Sequence, residues 1–185
     1  MLCAACCCAQ RNYPKKGLSY SSFRYTITTA PSGPISLAGA QALVDELRAQ
    51  NRTFFARASV EAADAQHKAS ASDKVPSLAN YSVTVTNTGS VDADDAVLGF
   101  LVPPNAGKDG VPLQTLFGFE RVHVKAGESV AVSIYPSLQD FTQVDADGKR
   151  YVHAGEYTVR FGEARSGELG MGLAEHRLIT TTTTR

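Results

Sequence analysis

The sequence has no tryptophan, no cysteine after position 8 and no net charge, with 18 basic and 18 acidic residues. Without cysteines in the body of the chain, no disulfide framework can hold it, so a hydrophobic core must stabilise it. A neutral chain without a basic stripe argues against nucleic acid as a partner. No apolar run approaches the roughly 20 residues that a membrane-spanning helix needs.

The first 16 residues differ in composition from the rest and are predicted to be an unstructured segment. They contain all four cysteines, Cys3, Cys6, Cys7 and Cys8. No second ligand pair with zinc spacing accompanies Cys3 and Cys6, which argues against a metal site. The alternative is S-acylation of the cluster, the one route by which this chain would contact a membrane. The segment lacks the basic start and long apolar stretch of a signal peptide, so localisation stays open.

What the chain does contain is a series of short segments with the alternation of β-strands. Tyr81, Val83 and Val85 alternate with polar residues, and 96–102 is apolar on both faces, which predicts a central strand. About seven such segments separated by Asn, Asp and Gly turns indicate an all-β antiparallel sandwich. The segments are 23–28, 81–87, 96–102, 119–124, 129–135, 156–162 and 176–184.

Residues 31–76 do not fit this pattern and are predicted to be an insertion. Leu37, Ala40, Val44 and Leu47 share one face at helical spacing, so the insertion is partly helical. After position 55 the segment is rich in Ala and Ser and has little to bury. The sandwich is therefore expected to stay folded when 36–72 is replaced by a short linker.

Candidate catalytic and metal-binding residues form no recognisable constellation. The acids of 91–95 flank turns, where solvated charge is ordinary. Asp145 and Asp147 before Gly148 resemble the start of a calcium loop, but the further ligands are missing and a hairpin turn is predicted. The four histidines share no ligand spacing, and no nucleophile lies near a base in a known motif, so no cofactor is predicted.

Two short sequences match the acceptor pattern for N-glycosylation. They are Asn51-Arg52-Thr53 and Asn80-Tyr81-Ser82. Such tripeptides occur often by chance and matter only in a secreted protein.

Four blocks follow one another in the order found in a known family. They are 13–23, 81–104, 113–134 and 155–163, and the most distinctive joins Gly118-Phe119-x-Arg121-Val122 to a Gly127-Glu128 turn. Together they resemble the C-terminal fibronectin type III-like domain of glycoside hydrolase family three enzymes, with the plant-type β-xylosidase/α-arabinofuranosidase or β-glucosidase branch nearest. The resemblance implies an immunoglobulin/fibronectin type III-like sandwich over 17–185, with 31–76 inserted after its first strand.

The same resemblance implies a non-catalytic role. The family's catalytic carboxylates lie in N-terminal regions without a counterpart here, and segment 17–23 resembles the exit from them. The implied function is an accessory domain that stabilises the catalytic region of a β-xylosidase-like or β-glucosidase-like enzyme, in cis or in trans. The alternatives are a free-standing sandwich that binds a protein or polysaccharide, and a fragment without a role of its own. Members of the family are often secreted or found in the cell wall.

Five residues are predicted to form a docking face for that catalytic region. Strict alternation along one strand places Phe117, Phe119 and Arg121 on the same side, and Leu18 and Tyr20 belong to the segment that resembles the domain exit. The alternative is that both phenylalanines fill the core of the sandwich, as aromatic residues in strands usually do.

Overall fold

The computed structural model describes residues 21–69, 81–145, 147–162 and 174–181. The predicted sites Cys3, Cys6, Cys7, Cys8, Leu18, Tyr20 and Asn80 lie outside this range. Neither α-helix of the described part is long and apolar enough to cross a bilayer. In chain order the elements are β1 Phe23–Thr29, β2 Ile35–Ser36, α1 Ala38–Ala49, α2 Arg57–Ala69, β3 Tyr81–Asn87, β4 Ala93–Val102, β5 Thr115–Val124, β6 Ser129–Ile134, a 3₁₀ helix Leu138–Phe141, β7 Thr142–Val144, β8 Arg150–Val152, β9 Gly155–Phe161 and β10 Ala174–Thr181.

Two sheets form the sandwich that the sequence predicts. One has the strand order β1-β3-β6 and the other the order β2-β10-β9-β4-β5, while β7 and β8 form a separate hairpin. β4 is an inner strand, as its apolar composition indicates. All pairings are antiparallel except β2 with β10, which run parallel. The prediction of an all-β, largely antiparallel sandwich is therefore confirmed.

The core lies between the two sheets and consists of their alternate, inward-facing side chains. The rings of Tyr81 and Phe161, from opposite sheets, lie 5.3 Å apart between centroids. Burial of such large side chains is the main favourable term in folding. The inward residues of the three best-buried strands are Tyr81, Val83 and Val85 of β3, Val97 and Leu101 of β4, and Tyr157, Val159 and Phe161 of β9.

One acidic residue lies in this interior, although the sequence suggested that the acids of 91–95 are all solvated. Asp95 is 7% exposed and accepts a hydrogen bond from the hydroxyl of Tyr25 in β1. The expectation is wrong for Asp95 because alternation along β4 turns it inward, toward a donor on the other sheet. Buried polar groups need such a partner.

The first helix of the insertion contributes apolar side chains to the core of the sandwich. Leu37 is fully buried, its amide donates to the carbonyl of Thr181 in β10, and it joins the same apolar cluster as Ala40 and Leu43. α1 also approaches the 3₁₀ helix so closely that a Cβ on Gly39 would lie 2.8 Å from the Leu138 side chain. The expectation that 36–72 is dispensable is therefore contradicted by the burial of the helix face.

Asn87, the last residue of β3, connects three parts of the chain at one end of the sandwich. It is fully buried. Its Nδ2 donates to the carbonyls of Val91 and Val124, both at 2.9 Å. Its Oδ1 accepts from the amide of Gly89 at 3.0 Å and from the hydroxyl of Ser21. One amide group thus fixes the β3–β4 turn, the end of β5 and the segment that leads into β1.

The second helix of the insertion, α2, is hydrogen-bonded to the 3₁₀ helix through a carboxylate. Asp64 of α2 accepts a hydrogen bond from the amide of Leu138 at 3.0 Å. Beside it, Asp140 accepts from the amide and hydroxyl of Ser137, at 2.7 and 2.9 Å. Burial raises the pKa of Asp140, the Ser137 hydrogen bonds oppose this, and the nearby Asp64 adds to the rise.

This arrangement predicts how the pH dependence of stability changes in Asp140→Asn. Because the folded-state pKa of Asp140 is raised, its protonation stabilises the fold, and this contribution is lost as the pH rises through that pKa. The melting temperature of Asp140→Asn should therefore rise relative to that of the wild type as the pH rises from about 4, the usual pKa of Asp, through the raised pKa. Thermal melts across this range measure the difference, and Asp147→Asn, in the exposed β7–β8 turn, serves as the control. A difference that falls with rising pH would contradict the prediction.

Candidate interaction surface

The outer face of the five-stranded sheet carries an apolar area where β4 and β5 pair. Since Val97 and Leu101 of β4 point into the core, Leu98 and Phe100 point outward. They lie opposite Phe119 and Leu116 of β5. Phe119 is 69% and Leu116 is 47% exposed. We call these four side chains, Leu98, Phe100, Leu116 and Phe119, the outer patch.

A bulge in β5 decides which phenylalanine belongs to this surface. Gly118 pairs with Gly99 and Leu116 with Phe100, so Phe117 has no partner and the alternation shifts by one residue. The Phe117 ring turns inward and meets Phe161 edge-on at 5.9 Å. It lies so close to Gly99 that a Cβ there would be 2.6 Å from the ring.

The predicted docking face is therefore only partly assembled. Phe119 and Arg121 share the outer face, as predicted, but Phe117 does not, because the bulge reverses its direction. The structure places Phe117 against the core and Phe119 in solvent. The core interpretation is therefore right for Phe117, and the exposed-face interpretation is right for Phe119. Whether Phe119 and Arg121 bind a partner stays a prediction. Leu18 and Tyr20 lie outside the described residues, and sequence reasoning missed Leu98, Phe100 and Leu116.

Charged side chains continue the outer face on one side of the patch. Asp94 accepts from Arg121 at 2.6 Å and lies 2.6 Å from Nδ1 of His123. The hydrogen bond with His123 and then that with Arg121 hold the pKa of the Asp94 carboxyl below its usual value. Asp94 therefore stays ionised at neutral pH and orients both partners beside Phe119.

The acids of the neighbouring strands are paired in the same way. Glu175 of β10 lies 2.7 Å from Arg160, and Glu156 of β9 lies 3.4 Å from Arg177. Glycoside hydrolysis needs two carboxyl groups facing each other across the substrate, one with a raised pKa. Carboxylates that each bind an arginine on an open sheet do not supply that chemistry. Within the described ranges, no group of three His, Cys, Asp or Glu side chains is placed to hold a metal ion.

The two packed sheets and their order of strands define an immunoglobulin-like β-sandwich. Sequence comparisons identify the type of sandwich and the proteins that contain similar domains. Residues 95–165 match the family model of the fibronectin type III-like domain. The chain is 35% identical over 80 residues to the exo-1,4-beta-xylosidase bxlB of Emericella nidulans, which is 43% of this chain and 10% of that protein. It is 33% identical over 87 residues to the probable beta-glucosidase G of Aspergillus flavus, or 46% of this chain and 11% of the relative.

A solved structure of a beta-glucosidase also contains a domain similar to this chain. The GH3 beta-glucosidase of Bifidobacterium adolescentis superposes with a TM-score of 0.52 at 25% identity, covering 88% of this chain and 18% of that one. The chain thus contains a fibronectin type III-like domain that is homologous to a part of these xylosidases and glucosidases. The matched stretch spans only about a tenth of the length of the curated relatives.

Proposed function

We propose that this chain is a non-catalytic accessory domain of a β-xylosidase-like or β-glucosidase-like glycoside hydrolase. Its homology to about a tenth of such enzymes supports this, because the remainder would supply the catalytic groups. The paired carboxylates of the outer face support it as well, since they serve as ion pairs. The accessory domain would stabilise the catalytic region by covering part of its apolar surface.

The outer patch is the surface that would make this contact, and its exposure is the observation that carries the proposal. When a partner covers an apolar side chain, the free energy falls by about 25 cal/mol for each Å² of apolar surface removed from water. Phe119 is exposed, and Arg121, Asp94 and His123 lie together beside it on one side of the outer patch. Protein interfaces usually combine buried aromatic side chains with polar groups around them.

Phe119→Ser tests this role, with Phe117→Ser as a matched control on the same strand. Phe119→Ser should change stability by no more than about 0.5 kcal/mol, because the side chain is exposed. It should weaken binding at least tenfold, a loss of about 1.4 kcal/mol. Phe117→Ser should cost about 2 kcal/mol of stability, since its ring packs on Phe161.

Calorimetric titration would measure the binding. The titrant is the xylosidase of Emericella nidulans produced without the stretch that matches this chain. Undetectable binding of the wild-type chain, or equal binding by Phe119→Ser, would contradict the docking role. Binding of xylan by the wild-type chain, with no affinity for the enzyme, would favour the free-standing module.

A further inference from the structure

The loop between the two helices combines an acceptor tripeptide with an exposed aromatic ring, far in sequence from the outer patch. α1 ends where the amide of Arg52 donates to the carbonyl of Leu47 at 3.0 Å and that of Asn51 to Arg48 at 3.1 Å. Asn51 has φ +50°, a conformation in which Asn is well tolerated at a helix end. The backbone at Asn51 is therefore held by hydrogen bonds, outside both helices.

The side chains of this tripeptide are accessible. Asn51, Arg52 and Thr53 are all exposed. The Asn51 carboxamide makes no hydrogen bond to any residue in the described ranges, so its Nδ2 is available from solvent. An accessible Asn in a turn, with a hydroxyl two residues later and no proline between, meets the requirements for N-glycosylation.

Phe54 follows directly and is 69% exposed, unusual for a ring that contributes nothing to the core. It borders a shallow, solvent-open depression that Leu43 and Leu47 also line. One wall is polar, because Glu46 accepts from Gln50 at 3.0 Å and from Ser59 at 3.1 Å. An apolar ring beside fixed polar groups matches the two sides of a sugar, which has a face of C–H bonds and a rim of hydroxyls.

We propose that Asn51 is an N-glycan acceptor and that the first N-acetylhexosamine of the glycan covers Phe54. In the reaction, Nδ2 of Asn51 forms a bond to C1 of a lipid-diphosphate-linked oligosaccharide. The bond between C1 and the diphosphate oxygen breaks, Nδ2 loses a proton, and the lipid diphosphate leaves. The inference is independent of the accessory role, since it concerns another part of the fold.

Acceptor use is tested on the full chain secreted from yeast behind a cleavable leader. Asn80→Gln removes the second tripeptide, so any glycan left on that variant sits at Asn51. Intact mass before and after treatment with a peptide-N-glycosidase, which releases the whole glycan including its first sugar and leaves Asp at position 51, should show one glycan on Asn80→Gln and on Asn80→Gln/Thr53→Ser. It should show none on Asn80→Gln/Asn51→Gln or Asn80→Gln/Thr53→Ala. A secreted Asn80→Gln chain without a glycan would overturn the proposal.

The position of the sugar is tested by melting the same Asn80→Gln protein with and without its glycan. Removal should lower the melting temperature by about 2 to 4 °C, which corresponds to about 1 kcal/mol for a chain of this size. In Asn80→Gln/Phe54→Ser the same treatment should leave the melting temperature unchanged, because the ring that the sugar covers is gone. An equal fall in both proteins, or no fall in either, would contradict the contact with Phe54.

Discussion

Replacing Asn87 with alanine is expected to lower the melting temperature by about 6 to 12 °C. The change removes the donor to the carbonyls of Val91 and Val124 and the acceptor of the Gly89 amide, and the hydrogen bond to Val124 is buried. Each such loss costs about 1 to 3 kcal/mol, and partial relaxation leaves a total of about 3 kcal/mol. For a chain of this length, 1 kcal/mol shifts the melting temperature by about 2 to 4 °C.

Two further variants separate the hydrogen bonds from a general effect of the substitution. Asn105→Ala makes the same change in the β4–β5 loop, where the side chain is not fully buried, and should shift the melting temperature by about 1 °C or less. Asn87→Asp keeps the size but places a carboxylate against two carbonyls, which raises its pKa in the folded state. Its stability should therefore recover as the pH is lowered through that pKa. A fall in Asn105→Ala as large as in Asn87→Ala would count against the explanation.

Replacing 36–72 with a short Gly/Ser linker is expected to abolish cooperative unfolding. The deletion removes Leu37, Ala40 and Leu43, which belong to the main apolar cluster, and Val44, which is fully buried beside them. Truncation of one such side chain costs about 2 to 5 kcal/mol. The stability of a whole domain is only about 5 to 15 kcal/mol. The sum of these losses is as large as the whole free energy of unfolding of a domain, so the remaining sandwich should not fold cooperatively.

A single substitution gives a graded version of this test. Leu37→Ala should cost about 3 kcal/mol, and Leu113→Ala, the same change at a side chain 72% exposed, should cost less than about 0.5 kcal/mol. Thermal melts followed by circular dichroism measure both, together with the deletion. A deletion variant with a sharp melt near the wild-type temperature would show that the insertion is dispensable after all.

Local sequence pattern was sufficient to predict the strands of the sandwich. Alternation along 81–87 and 156–162 depends only on which side of a strand faces the core, and both β3 and β9 lie where it places them. The order of the four blocks that resemble the family was sufficient for the domain class, because several short segments agree at once. These signals are contained within single strands and the turns beside them.

The insertion and the surface needed information that no local pattern carries. The helical face of α1 is evident from Leu37 and Val44, but its binding partners, Leu138 and Thr181, are about a hundred or more residues away. The bulge at Phe117 adds one residue to β5 without changing its composition, so strict alternation assigns the ring to the wrong face. Gly99 was the available signal, since a glycine in a central strand often marks a close approach.

The same bulge affects how the protein behaves in a crowded solution of identical chains. β5 is the outermost strand of its sheet within the described residues, and a straight strand of ten residues there would offer a regular row of unpaired amides and carbonyls. Such rows are templates for aggregation through the addition of strands from other molecules. At Phe117 the spacing of these groups is interrupted and the strand twists, so a foreign strand cannot pair along its full length. A protein that exposes Phe119 beside an open edge is thus protected from forming continuous sheets with its own copies.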